Sequence, residues 1–136
     1  MIYQKTTDMV QIKKCTFEHM TKSYPCKEKS VLDGCMIMRQ SIKPEDVQSP
    51  FQVEAYALLF CISGEVNIIS DLRSYTVTPG TLFVYLPNNI IKIDCKKESI
   101  ISEVILASDY LRKNFLQWNK ISPLFIQTAN NPVITI

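Results

Sequence analysis

The stretch Leu58-Leu59-Phe60-Cys61-Ile62-Ser63-Gly64-Glu65, answered by Tyr75-Thr76-Val77-Thr78-Pro79-Gly80-Thr81-Leu82-Phe83-Val84-Tyr85-Leu86-Pro87, decides the fold of this chain. It reads as strands separated by tight turns, with almost nothing in between. β-branched and aromatic residues fill the runs, as a pleated, half-buried surface favours. Gly64 and Gly80 stand at the turns, where positive φ is most useful. The chain has only three glycines but seven prolines, so its runs are punctuated mainly by proline. That is a strand-rich pattern.

Upstream, Gly34 to Gln40 reads as a strand and Lys43-Pro44-Glu45-Asp46 as the turn after it. Phe51 to Ser63 reads as one long strand. Its odd positions, Phe51, Val53, Ala55, Ala57, Leu59 and Cys61, form an unbroken apolar face. Its even positions begin polar at Gln52 and Glu54 and turn apolar at Leu58, Phe60 and Ile62. Such a strand calls for cover on both faces: the interior on one, and a sheet, helix or partner chain on the other.

Downstream, Val66–Ser70, Tyr75–Thr78, Thr81–Leu86, Ile90–Asp94 and Ile100–Leu106 supply shorter strands. Asp71 to Ser74 makes a polar hairpin loop and Pro87-Asn88-Asn89 a turn. Many short strands with regular turn signals predict a mainly β sandwich or barrel. Ser108-Asp109 then has the chemistry of a helix start. Leu111, Phe115 and Trp118 follow at helical spacing, predicting a helix of about ten residues that packs one stripe on the barrel. The reading is one domain, 1–136: an N-terminal arm over 1–32, a barrel core over 33–106, a helix over 108–118 and terminal strands over 124–136. The apolar run Val133 to Ile136 reads as a closing strand or as a cut in a longer chain.

A chain of 136 residues suffices for one buried core. Its net charge is +2, and acidic residues interrupt its lysine clusters, so neither nucleic-acid nor membrane binding is expected. No apolar run approaches the roughly 20 residues that span a bilayer, and the first residues lack the apolar core of a secretory signal. The five cysteines, at 15, 26, 35, 61 and 95, are irregularly spaced. That fits neither a disulfide framework nor a zinc site, and points to a reducing cytoplasm. Cys35, Cys61 and Cys95 sit in apolar runs as small core residues. His19, the one histidine, can neither build a histidine metal site nor be placed beside a cysteine as its base.

The strand-Gly64 and Pro79-Gly80 segments resemble the core of the cupin superfamily, which implies a cupin-like antiparallel β-barrel (double-stranded β-helix or jelly roll) with a short C-terminal helix. Metal-binding cupins carry histidines and a glutamate before the first glycine, and another histidine after the Pro-Gly turn. Here Pro50 to Val53 and Ala57 stand near the first set and Ile91 near the last. No metal and no cofactor are therefore expected.

With Val104-Ile105-Leu106-Ala107-Ser108-Asp109-Tyr110-Leu111 and the Asn-Pro-Val-Ile-Thr-Ile ending, the stretch from Phe51 to Ile136 resembles the N-terminal sensor domain of AraC-type transcriptional regulators, in a form similar to that of Bacteroides-type gut anaerobes. The resemblance implies a small polar effector, a homodimer as partner state, and DNA binding by a C-terminal half that these residues do not contain. A stand-alone metal-free cupin, acting as an enzyme with Glu103 or Glu54 as base or as a binding module, is the alternative. A solidly packed barrel would instead mark an oligomerisation scaffold.

The candidate site follows from alternation. Ala55 and Ala57 leave space on the apolar face of the long strand, and Ile91 and Ile101 line the floor. Arg39 shares a face with Cys35 and Ile37, and Glu103 with Ile101 and Ile105. A charge on an apolar face needs a partner or solvent. Arg39 and Glu103 therefore either pair with each other, lie at a sheet edge, or orient an effector, Arg39 suiting a carboxylate or a sugar hydroxyl. Tyr85 adds an aromatic wall with a hydroxyl. No catalytic residue is assigned.

Overall fold

The computed structural model describes residues 12–18, 28–32, 34–46, 50–114, 123 and 131–135. Eleven strands and one helix lie among them: β1 (Lys13–Cys15), β2 (Glu28–Leu32), β3 (Cys35–Ile42), β4 (Phe51–Val53), β5 (Tyr56–Ser63), β6 (Val66–Ser70), β7 (Arg73–Val77), β8 (Thr81–Tyr85), β9 (Ile90–Asp94), β10 (Ser99–Leu106), α1 (Ser108–Asn114) and β11 (Val133–Thr135). They form a five-stranded sheet, β1-β4-β9-β6-β7, and a six-stranded sheet, β11-β8-β5-β10-β3-β2. Every pairing is antiparallel except β1 with β4. The expected mainly β architecture is what the chain adopts.

The core lies between the sheets. The six-stranded sheet contributes Met36 and Met38 from β3, Ala57, Leu59 and Cys61 from β5, Phe83 and Tyr85 from β8, and Ile101 and Ile105 from β10. Val53, Val66, Ile68, Val77, Ile91 and Ile93 face them from the other sheet. Period-two alternation accounts for this: β10 is buried at every other residue from Ser99 to Ile105.

The predicted long strand from Phe51 to Ser63 is two strands. The chain bends at Glu54-Ala55, so that β4 belongs to the five-stranded sheet and β5 to the six-stranded one. One extended segment cannot pair within both facing sheets, and a bend lets it change sheets at a corner. The Glu54 amide bonds the Cys15 carbonyl at 3.0 Å, holding that corner. The odd-numbered face remains inward across the bend, with Val53, Ala55, Ala57 and Leu59 buried. Of the even face, Leu58 and Phe60 are half-buried while Ile62 stays 45% exposed, so the expected outer cover is only partial.

The N-terminal arm is more structured than its composition predicts, since β1 and β2 extend an edge of each sheet. Their short length and polar residues hide them from a pattern search. Cys35 and Cys61 are buried as expected, whereas Cys95 is only partly so. Burial raises all three thiol pKa values.

Helix α1 starts at Ser108, as its sequence predicts, with Asp109 in the first turn and Arg112 and Lys113 in the last. Leu111 is buried. Phe115 and Trp118, the rest of the predicted stripe, lie outside the described residues, as do His19 and Leu124 to Gln127. Two close approaches lock the helix and one hairpin. Gly34, at φ +81°, faces Tyr110 so closely that a Cβ would lie 2.5 Å from the Tyr110 Cβ. Gly64, at φ +84°, likewise leaves room for Ser99, whose hydroxyl bonds both the amide and the carbonyl of Glu65.

Candidate functional site

Glu103 sits in the middle of β10 with Ile101 and Ile105 on the same inward face, and only 2% of it is exposed. The register places Leu59 opposite it on β5 and Met38 opposite it on β3. Tyr85 lies one row away, opposite Ala57, which in turn faces Ile105. From there the Tyr85 hydroxyl reaches diagonally across β5 and donates a 2.7 Å hydrogen bond to Glu103 Oε2. The small side chain of Ala57 leaves this diagonal open. Phe83 and Tyr75 extend the aromatic wall, with ring centroids 6.3 Å from Tyr85 to Phe83 and 5.6 Å from Phe83 to Tyr75.

Burial pushes the Glu103 pKa from 4.5 up to about 7, against the opposing pull of the Tyr85 hydrogen bond. Near neutral pH the carboxyl therefore exchanges between its two forms. Oε2 takes the tyrosine hydrogen bond, and Oε1 takes none. No buried side-chain oxygen among the described residues lacks a partner, so Oε1 must border space that a water molecule can enter. The interior thus presents one acceptor open to a visitor.

Beside Glu54, at the β4–β5 corner, is a cleft of about 890 Å³. Phe17 and Glu18 wall it from the N-terminal segment, Glu54 from the β4–β5 corner, Asn88 from the β8–β9 turn, and Tyr110 and Lys113 from α1. Its size falls in the range of small-molecule sites. The buried Ala55 follows directly on Glu54, and Tyr85 lies two residues before Pro87, another cleft residue.

Of the predicted site residues, the structure brings Tyr85 and Glu103 into contact and buries Ala55, Ala57, Ile91 and Ile101. Arg39 is not among them. The inward residues of β3 are Met36 and Met38, and Arg39 is exposed on the outer face with Ile37. Its register partner is Ser102, not Glu103, so the expected Arg39–Glu103 pairing gives way to Tyr85–Glu103. β3 is apolar at Cys35, Met36, Ile37 and Met38 alike, and alternation cannot choose a face there. Sequence reasoning named Glu54 as an alternative base and passed over the other cleft residues. Ser108-Asp109, read as a helix start, is the other signal the sequence held for them.

Solved structures share part of this fold. A cupin superfamily protein from Desulfitobacterium hafniense DCB-2 aligns with a TM-score of 0.55 at 18% identity, over 58% of this chain and 72% of that one. A Cupin 2 conserved barrel domain protein from Salinispora arenicola CNS-205 aligns at 0.53 and 10% identity, over 62% and 72%. The fold is a cupin fold. A Cupin 2 conserved barrel domain protein from Leptotrichia buccalis adds a TM-score of 0.55 at 15% identity, over 58% of this chain but only 39% of its own. No protein-family model and no curated protein matches the chain. At such identities the likeness is one of fold.

Val53, Ala57 and Ile91 are buried apolar side chains of the core. Among the described residues no three His, Cys, Asp or Glu side chains gather to hold a metal ion. None of the described helices is long and apolar enough to cross a membrane.

Proposed function

We propose that this cupin-type domain binds a small polar molecule, which enters by the cleft beside Glu54 and is read inside the barrel by Glu103 and Tyr85. One observation carries the reading: a buried carboxylate that keeps one oxygen open to a water-sized visitor. A purely structural core gains little from an ionisable group that burial disfavours.

The finer reading is that the domain is the effector sensor of an AraC-type regulator, supported by the sequence resemblance from Phe51 to Ile136. On this reading it works in the cytoplasm, pairs with a second copy and leaves DNA contact to another part of the regulator. A ligand that binds only the folded state raises its stability by RT ln(1 + [L]/Kd), about 2.7 kcal/mol at 100 times Kd. A thermal-shift screen of polyols, amines and carboxylates therefore tests ligand binding directly. Salt-sensitive duplex binding by residues 1–136 would contradict the assignment of DNA contact to another part.

One feature favours a second reading, a metal-free enzyme. A carboxyl poised near pH 7 is suited to general base work. Turnover of any ligand from the screen, lost in Glu103→Gln, would select it over a sensor.

A further inference from the structure

The charge inventory of the barrel narrows what it can take. Glu103 is the one charged side chain buried among the described residues. Tyr85 faces it from β8, Leu59 and then Cys61 from β5, and Met38 from β3; none of these is a cation. Arg39, the cation expected inside, is on the outer face of β3. In the cleft, Arg112 is held by Asp109, and Lys113 is exposed on the last turn of α1. The Glu54 carboxylate, on the opposite wall, makes no hydrogen bond or ion pair with a described residue. Among the described residues, Glu103 is thus a buried acidic group with no cation beside it.

We infer that the group reaching Glu103 is an uncharged or cationic hydrogen-bond donor, a hydroxyl or an ammonium, and that ligands presenting a carboxylate or phosphate there are excluded. The inference rests on the proposed ligand site and fixes its chemical class. In the ionised carboxylate Oε1 is an acceptor, so it rewards a donor, and an ammonium adds charge assistance. An anion would lose its hydration and meet a like charge at short range, in surroundings that screen poorly. Tyr85 cannot relieve this, because its hydroxyl proton is already committed to Oε2.

Matched compounds that differ at one end test the inference. D-glucamine, D-sorbitol and D-gluconate share a polyol chain ending in ammonium, hydroxyl or carboxylate. Butylamine, butanol and butyrate form a shorter set. Binding is measured by calorimetry at about pH 8, where the Glu103 carboxyl is mostly ionised. The expected result is glucamine or sorbitol binding at least about tenfold more tightly than gluconate, with the same order in the short set. In Glu103→Gln, the amine should lose about tenfold and the amine–acid gap should shrink accordingly.

Gluconate or butyrate binding as tightly as its partners would overturn the inference while leaving the ligand site standing. So would a gap that Glu103→Gln leaves unchanged. Failure of both sets, and of the wider screen, to bind the wild type would overturn the ligand site itself. Should Glu103→Gln not fold by circular dichroism, the wild-type ranking decides alone.

Discussion

The Tyr85 hydroxyl and the Glu103 carboxylate meet at 2.7 Å across β5, inside the barrel, although 18 residues separate them in sequence. The contact is diagonal: Phe83, Leu59 and Glu103 form one cross-strand row, and Tyr85, Ala57 and Ile105 the next. Alanine at 57 allows a tyrosine to lean from its own row into its neighbour's. The pair then governs how the interior responds to protons and to substitution.

Stability should fall as pH rises through the neutral range. The unfolded carboxyl loses its proton near 4.5 and the folded one near 7, so between those values the folded state holds a proton that the unfolded state has lost. The contribution is fully present below the lower value and declines by about 3 kcal/mol up to the higher one. Urea unfolding from about pH 5 to about pH 8 should show this decline in the wild type and not in Glu103→Gln. Parallel curves for the two proteins would mean that Glu103 does not titrate in this way.

Tyr85→Phe keeps the ring and deletes the hydrogen bond. It should destabilise the fold by about 1–3 kcal/mol, because the buried carboxyl loses the donor at Oε2. The Glu103 pKa should rise further, since that bond is what pulls it down. Denaturant midpoints and carboxyl titration by NMR measure the two effects separately. A variant as stable as the wild type would show that water replaces the hydroxyl without loss.

Gly34→Ala should cost about 2 kcal/mol or more, through both strain at positive φ and collision with Tyr110. The Ala107 amide bonds the Gly34 carbonyl at 2.9 Å, so the damage should centre on the start of α1. Hydrogen exchange should show the Ala107 amide losing protection before the amides of β5. Uniform loss across the sheet would place the strain elsewhere.

At the opposite extreme lies a position where change should help. Asp71 and Leu72 form the β6–β7 turn with φ of 48° and 73°, and Leu72 is 98% exposed. Leucine is poorly suited to this left-handed backbone, whereas Asp71 uses its carboxylate to hold Asn89 and the Ile90 amide. Leu72→Gly should raise stability by about 1 kcal/mol, read as a higher melting temperature. A lower one would mean that unfolded-state entropy outweighs the strain.

Most strands were legible because alternation and turn chemistry are local. β6 and β9 fall where the pattern put them, and β10 begins only one residue earlier. The break at Glu54-Ala55 was not, since nothing in thirteen consecutive extended residues says that two sheets must share them. At the site, the inward face of Glu103 could be read from Ile101 and Ile105. The face of Arg39 could not, with apolar neighbours on both sides of β3. Which strand β3 pairs with, and in what register, settled it: Met38 lies opposite Glu103 and so shares its face.

The sequence by itself determined a mainly β chain with turns at Gly64 and Gly80, a helix starting at Ser108, and an inward Glu103. Each depends on backbone preference or on a two-residue period, which neighbouring residues carry between them. Tertiary structure alone decided that Tyr85, rather than Arg39, meets Glu103, and that a cleft opens beside Glu54. Those outcomes depend on register and on the meeting of loops far apart in the chain. Distances between strands are fixed by packing the whole core, and no local stretch of residues encodes them.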